Sequence, residues 1–378
     1  MFFYWASSQP AGVICRMLKH FAIAPFLALI AAAPASTPTT APADPTAKAY
    51  RHVFGLIDQM DEADQGRIGL CGTDGCWVVT TPLDASTAEM LKQQRQTIDL
   101  IRNAVAMPPP RWQFEGDANK MVELSNHAPF CSSLLVLQAR QELADKNATQ
   151  AVDDLIAALV VSRHVSTTEP TLLVKMVESL AWRPAGTELA EQLPSLPKDL
   201  VATLPARLAK LPKSPTTADV IRGEYAFAQM TAKRQGFTVV AMVAGLRDFY
   251  KALLDGSDRT PEEFDKLVDE QLAKSPNNPF AKIMAPQFKL LRRNVAALEV
   301  KQAMLETAID MTLHGEAALA SSHDPGAASP APFTQKKTAH GYQLISAMPD
   351  REQKPLTLQI GSADAGAAAA GLPLRGTE

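Results

Sequence analysis

Apolar residues recur at spacings of three, four and seven from Pro129 to Ala181, in three successive sets. Phe130, Leu134, Leu137 and Leu143 mark the first; Val152, Leu155, Ile156, Leu159 and Val160 the second; Leu172, Leu173, Met176, Val177 and Leu180 the third. That period predicts amphipathic helices, and connections this short fold them back on one another as antiparallel hairpins. Asn147 is expected to close the first helix, Thr149 to cap the second, and Thr168-Glu169-Pro170 to open the third.

The same patterning extends along the chain. Residues 47–60 predict a helix with Tyr50, Val53, Phe54 and Ile57 inward, and residues 61–82 a solvated loop. Ser86-Thr-Ala-Glu89 reads as a capping box opening a helix that Pro108-Pro109-Pro110 stops. Trp182-Arg183-Pro184 is expected to kink or interrupt a helix that continues toward Leu193, and Pro194, Pro197, Pro205 and Pro212 divide the next stretch into short helices. Residues 237–254 are the most apolar stretch, broken by Arg247 and Asp248, and read as buried core. Thr260-Pro261-Glu262-Glu263 opens another helix, and residues 280–314 form a long one bent at Pro286 and closed by Gly315. Residues 342–346 and 356–360 alternate apolar and polar side chains as two strands do.

The expected class is mainly α, with antiparallel helical hairpins in a layered or TPR-like array and a small C-terminal β element. Segments divide as an upstream extension and signal peptide (1–35), a Pro/Thr/Ala linker (36–46), a helical domain (47–315), a flexible linker (316–332), the β element (333–361) and a disordered tail (362–378). A content of 46% hydrophobic, 20% charged and only 6% aromatic residues agrees with a folded, helix-rich chain.

Met17-Leu18-Lys19-His20, the apolar residues 21–33 and Ala33-Pro34-Ala35 form a signal-peptide pattern with cleavage before Ser36. The apolar run is too short for a stable span, so no membrane segment is expected after cleavage. Translation starts at Met17 on this reading; the other reading is one long signal or a retained anchor starting at Met1. Cleavage removes Arg16 and Lys19 and leaves 35 basic against 40 acidic residues, a formal charge of -5. Without a basic footprint, nucleic acid is not an expected partner. Export also changes the cysteine reading. Cys15 leaves with the leader, and Cys71-Gly-Thr-Asp-Gly-Cys76 suits a local disulfide, with Cys131 buried as a small hydrophobe. The alternatives are a zinc site completed by His127 and Cys131, or free thiols.

Candidate chemistry is sparse. Arg292, Glu299, Glu306, Asp310 and His314 share one helix stripe and read as solvated, internally paired charge. Asp153, Asp154 and His164 share another helix, and Glu224 follows Arg222-Gly223, where an inward carboxylate can meet an arginine. Ser132-Ser133 lacks a nucleophile elbow, and neither phosphate-cradling glycine loops nor paired metal-histidine motifs occur, so no catalytic residue, metal or cofactor is assigned.

Over residues 130–346 the chain loosely resembles exported, helix-rich bacterial proteins of unknown function. The features that carry this are Gln138-Ala139-Arg140, the arm 151–163, the Leu-Pro repeats ending at Arg222-Gly223-Glu224, and the tail His314-Gly315, Asp324-Pro325, Pro332-Phe333 and Gly341-Tyr342-Gln343-Leu344-Ile345-Ser346. Similar tails close some pilin-like secretion proteins as a small sheet. The glycine-aspartate loop that follows the last strand there is missing here, so no calcium role is carried over. The resemblance implies no activity. The expectation is an exported, non-catalytic scaffold or interaction protein, periplasmic or extracellular, with an envelope protein partner. The alternative is an enzyme or metal-binding protein with a site assembled from distant ionisable residues. A cleft gathering Glu224, His164 or Glu306 with other ionisable groups would favour that alternative; scattered, solvated charges would favour the scaffold.

Overall fold

The computed structural model describes residues 44–68, 83–114, 118–167, 169–235, 243, 245–327, 329–350 and 353–361. The expected leader, most of the linker, Cys71, Cys76 and the tail 362–378 lie outside the described residues. Within them the chain is mainly α, with a small three-stranded antiparallel sheet near the C-terminus.

Helix α1 (Pro45–Ile57) starts where Asp44 accepts a hydrogen bond from the Ala47 amide at 2.9 Å. Part of the expected loop 61–82 is helical, as α2 (Glu62–Ile68), because Asp61 accepts from the Asp64 amide at 2.7 Å and Ile68 is buried. Helices α3 (Ala85–Gln93) and α4 (Arg95–Val105) follow. The cap of α3 is Asp84 and not Ser86: its carboxylate accepts from the Thr87 amide at 2.7 Å and the Ser86 hydroxyl at 2.8 Å. A carboxylate beside the helix N-terminus gains from the dipole as well as the hydrogen bond, which a serine does not.

The centre is three long helices packed on one another: α5 (Ala118–Ala144), α6 (Ala148–Ser166) and α7 (Leu172–Gln192). Their termini differ in detail from the expectation. Pro129 lies inside α5 rather than at its start, in a stretch buried on all sides from His127 to Leu137, and that burial outweighs one missing backbone donor. Pro184 lies inside α7, which continues to Gln192 as the sequence leads one to expect. Asn147 opens α6 rather than closing α5, with Lys146 (φ 62°) making the turn. Thr171 caps α7, and Glu169 (φ 50°) carries the preceding turn. Ser132 Oγ, on α5, donates to the Ala181 carbonyl on α7 at 2.6 Å.

Helices α8 (Lys198–Leu208), α9 (Thr217–Gln235), α10 (Arg247–Asp255) and α11 (Pro261–Lys274) lead to α12 (Pro279–His314). Thr260 and Glu263 make the expected capping box on α11. Gly315, at φ 82°, ends α12 as expected. This helix joins two apolar cores. Phe280, Met284, Phe288, Leu291 and Val295 pack with Val220, Phe249, Leu253 and Phe264, whereas Val300, Met304, Leu305 and Ile309 enter the larger core of α1 and α3 to α7.

Beyond the short α13 (Ala317–Ala320), strands β1 (Thr334–Thr338), β2 (Gly341–Pro349) and β3 (Pro355–Ile360) form a meander. Strand β1 escaped the sequence reading because Thr-Gln-Lys-Lys-Thr has no apolar residue, as befits an exposed edge. Gly341 (φ 155°) meets the Ile360 carbonyl where any side chain would collide. The expected linker 316–332 holds a buried Asp324, which accepts from Ser346 Oγ at 2.8 Å and from the Ala347 amide at 2.8 Å, pinning it to β2. Among the described residues no helix is long and apolar enough to cross a membrane.

Leu159 on α6 is fully buried, so Leu159→Ala should cost ~2–5 kcal/mol in chemical denaturation, since a cavity adds to the lost transfer energy. A loss below about 0.5 kcal/mol, the surface range, would contradict this packing.

Candidate functional site

Where α6 meets α7, a carboxylate is buried among cations. Glu178 has no exposed side-chain surface; its Oε1 accepts from Arg163 Nη1 at 2.5 Å and Ser214 Oγ at 2.5 Å, and its Oε2 from Lys175 Nζ at 2.9 Å. Lys175 Nζ also donates to Ser214 Oγ. Arg163 comes from the end of α6, Lys175 and Glu178 from successive turns of α7, and Ser214 from the segment before α9. Burial alone would raise the Glu178 pKa, but Lys175, Arg163 and the serine hydroxyl outweigh it and hold the carboxyl below its usual range. Burial pulls Lys175 down, opposed by Glu178.

Over this network lies a cleft of about 180 Å³. Arg163 and Ser214 are shared between network and cleft, Trp182 and Leu211 supply apolar wall, and Gln302 and Glu306 enter from one face of α12. Two donors on residues beside it, Arg163 Nε and Gln302 Nε2, are buried away from solvent and have no acceptor among the described residues.

The residues singled out from sequence are dispersed. Of the α12 stripe only Glu306 reaches the cleft, its pKa raised by burial; Arg292 lies 3.9 Å from Glu299, and His314 lies 3.5 Å from Asp310 in solvent. Asp154 is buried and grips Arg102 through two bonds of 2.8 Å, joining α6 to α4, whereas Asp153 makes an exposed pair with Arg207 at 2.5 Å. His164 lies in an aromatic nest with Tyr50 and Trp112. Its Nδ1 is 3.0 Å from Tyr50 Oη, its carbonyl accepts from Trp112 Nε1 at 2.7 Å, and burial lowers its pKa to about 4. His127 is held at both nitrogens, Nε2 by Asp58 at 2.8 Å and Nδ1 by the Glu123 carbonyl at 2.7 Å. Cys131 is a buried free thiol, and the Cys71–Cys76 pairing and the zinc alternative both turn on residues outside the described set. Among the described residues no three His, Cys, Asp or Glu side chains converge as metal ligands do.

Among the described residues Glu224 meets no arginine; Arg222 pairs with Asp219 at 2.9 Å instead. The Glu224 carboxylate is buried and accepts from the Leu172 amide at 2.9 Å, in the first turn of α7, while burial raises its pKa to about 7. Gly223 permits this approach, since a Cβ there would strike the Pro170 carbonyl.

Arg163, Lys175, Glu178, Ser214 and Gln302 escaped the sequence reading. The available signal was charge inside apolar runs, as in Val174-Lys175-Met176-Val177-Glu178 and Val160-Val161-Ser162-Arg163. No protein-family model matches the chain, and no curated protein or solved structure matches it either.

The raised pKa of Glu224 has a definite sign. Its stabilising contribution is complete below the usual glutamate pKa of 4.5 and is lost as pH rises through about 7. Glu224→Gln keeps an acceptor for Leu172 and removes the titration, so relative to wild type it should gain about 1–3 kcal/mol between pH 4.5 and pH 8. Denaturation of both proteins at these pH values checks it; a constant difference would contradict the buried-carboxylate assignment.

Proposed function

We propose that the protein is an exported, non-catalytic helical scaffold of the bacterial envelope, which holds a ligand or partner without transforming it. The observation that carries this reading is the engagement of the buried ionisable groups. Asp154 binds Arg102, Glu188 binds Arg140 at 2.6 Å, Glu178 binds Arg163 and Lys175, and Glu224 caps α7. Each joins two structural elements, so these side chains serve the packing of the helices. The leader pattern supports export, and the acidic balance supports a protein rather than a nucleic-acid partner.

Ser214 beside Lys175 is the arrangement that most resembles a nucleophile and its base. Its hydrogen bonds run the wrong way for that use. Lys175 donates to the serine oxygen, and the serine hydroxyl donates to Glu178, whose carboxyl Lys175 and Arg163 hold below its usual range. A serine-directed fluorophosphonate probe applied to the full chain, followed by peptide mass spectrometry, should leave Ser214 unmodified. Stoichiometric adduct on Ser214 would overturn the non-catalytic reading and make the protein a serine hydrolase candidate.

A further inference from the structure

The turn that joins α5 to α6 carries Asp145-Lys146-Asn147-Ala148-Thr149, and all of these residues except the half-buried Ala148 are exposed. Asparagine followed two positions on by serine or threonine, with no proline between, is the acceptor pattern for N-linked glycosylation. No other asparagine of the chain has serine or threonine at that spacing. N-glycosylating transferases of bacterial envelopes further select an acidic residue two positions before the asparagine, and Asp145 occupies that place. Lys146, at φ 62°, reverses the chain and leaves Asn147 at the tip of the hairpin. Thr149, whose hydroxyl completes the pattern, is exposed in the first turn of α6.

The Asn147 side chain is held in a way that leaves this chemistry open. Its Oδ1 caps α6, 3.5 Å from the Gln150 amide, and its Nδ2 donates to Glu142 Oε2 at 2.9 Å. Nδ2 carries two hydrogens and a glycosylated amide keeps one, so neither the cap nor a bond to Glu142 has to be given up. Exposure on both sides of the asparagine means that a bulky polar group added here disturbs no packing.

We propose that Asn147 is N-glycosylated on export, by transfer of an oligosaccharide from a polyprenyl-diphosphate donor. Nδ2 bonds to the anomeric carbon of the first sugar as the bond from that carbon to the diphosphate oxygen breaks. The lipid diphosphate leaves with the electron pair, and one Nδ2 proton passes to the medium, so no oxidant or reductant is needed. This inference rests on the exported reading, because donor and transferase meet the chain outside the cytoplasm.

The test is mass spectrometry of the full chain isolated from the envelope of the bacterium that makes it, intact and after proteolysis, for wild type, Thr149→Ala and Asp145→Asn. In wild type the peptide containing Asn147 should carry a sugar mass on that residue. Both variants should lose it although both keep Asn147 as the cap, and circular dichroism melting checks that each folds. N-terminal sequencing of the same preparations reads export separately. A chain that begins at Ser36 with Asn147 unmodified would overturn the glycosylation and leave export in place. One that retains residues 17–35 with Asn147 unmodified would overturn both. Sugar persisting in either variant would also overturn the proposal, since the acceptor pattern would then not be what the transferase reads.

Discussion

Burying the Glu178 carboxylate is the constraint on which the centre of the molecule depends. An ionised side chain without solvent is tolerated only when its oxygens are fully engaged, and here that takes three partners from three parts of the chain. Arg163 fixes the end of α6 against α7, Lys175 lies one turn from Glu178 on the same helix, and Ser214 brings the segment after α8 onto both. Slipping α6 along α7 would leave a buried charge without a partner, so the network specifies register where apolar packing alone accepts several alternatives. Arg163 and Ser214 also line the cleft, which ties the geometry of the candidate site to the packing of the fold.

Around that centre, polar contacts recur wherever two elements must keep a fixed relation. Asp154 with Arg102 sets α6 on α4, Ser132 with the Ala181 carbonyl sets α5 on α7, Glu224 sets α9 on the start of α7, and Asp324 sets the α13 segment on β2. Apolar burial supplies the gross drive to collapse, and these contacts select among collapsed arrangements. Helix α12 then carries both cores on one rod, with its N-terminal half among α9 to α11 and its C-terminal half against α7 and the sheet.

Much of this architecture was legible from periodicity. The three hairpin helices, the long α12 with its glycine stop and the strands β2 and β3 follow from apolar spacing, which survives local detail because burying a whole face outweighs any single cap. Boundaries were less legible. Asp84 won the α3 cap over Ser86, and Asn147 serves α6 instead of α5, because neighbouring cap formers compete within a fraction of a kcal/mol to about 2 kcal/mol and tertiary context decides. Pro184 lies inside α7, in the helix expected to continue toward Leu193, and Pro129 lies inside α5, where burial on all sides outweighs one missing backbone donor. The site was the least legible part. Spacing drew attention to Glu306 but gave no hint that Arg163 and Gln302 would share a cleft with it, since Arg163 is remote from both in the chain and only packing brings α6 to α12.

The central claim is that one fully engaged buried carboxylate holds α6, α7 and the Ser214 segment in register. Denaturant unfolding of wild type, Glu178→Leu, and the triple variant Arg163→Met with Lys175→Met and Glu178→Leu tests it most directly. The account predicts a loss of about 3–5 kcal/mol for the single change, which strands two cations, and recovery of most of that loss in the triple variant, which strands none. A single-variant loss below about 0.5 kcal/mol, or a triple variant less stable than the single one, would contradict it.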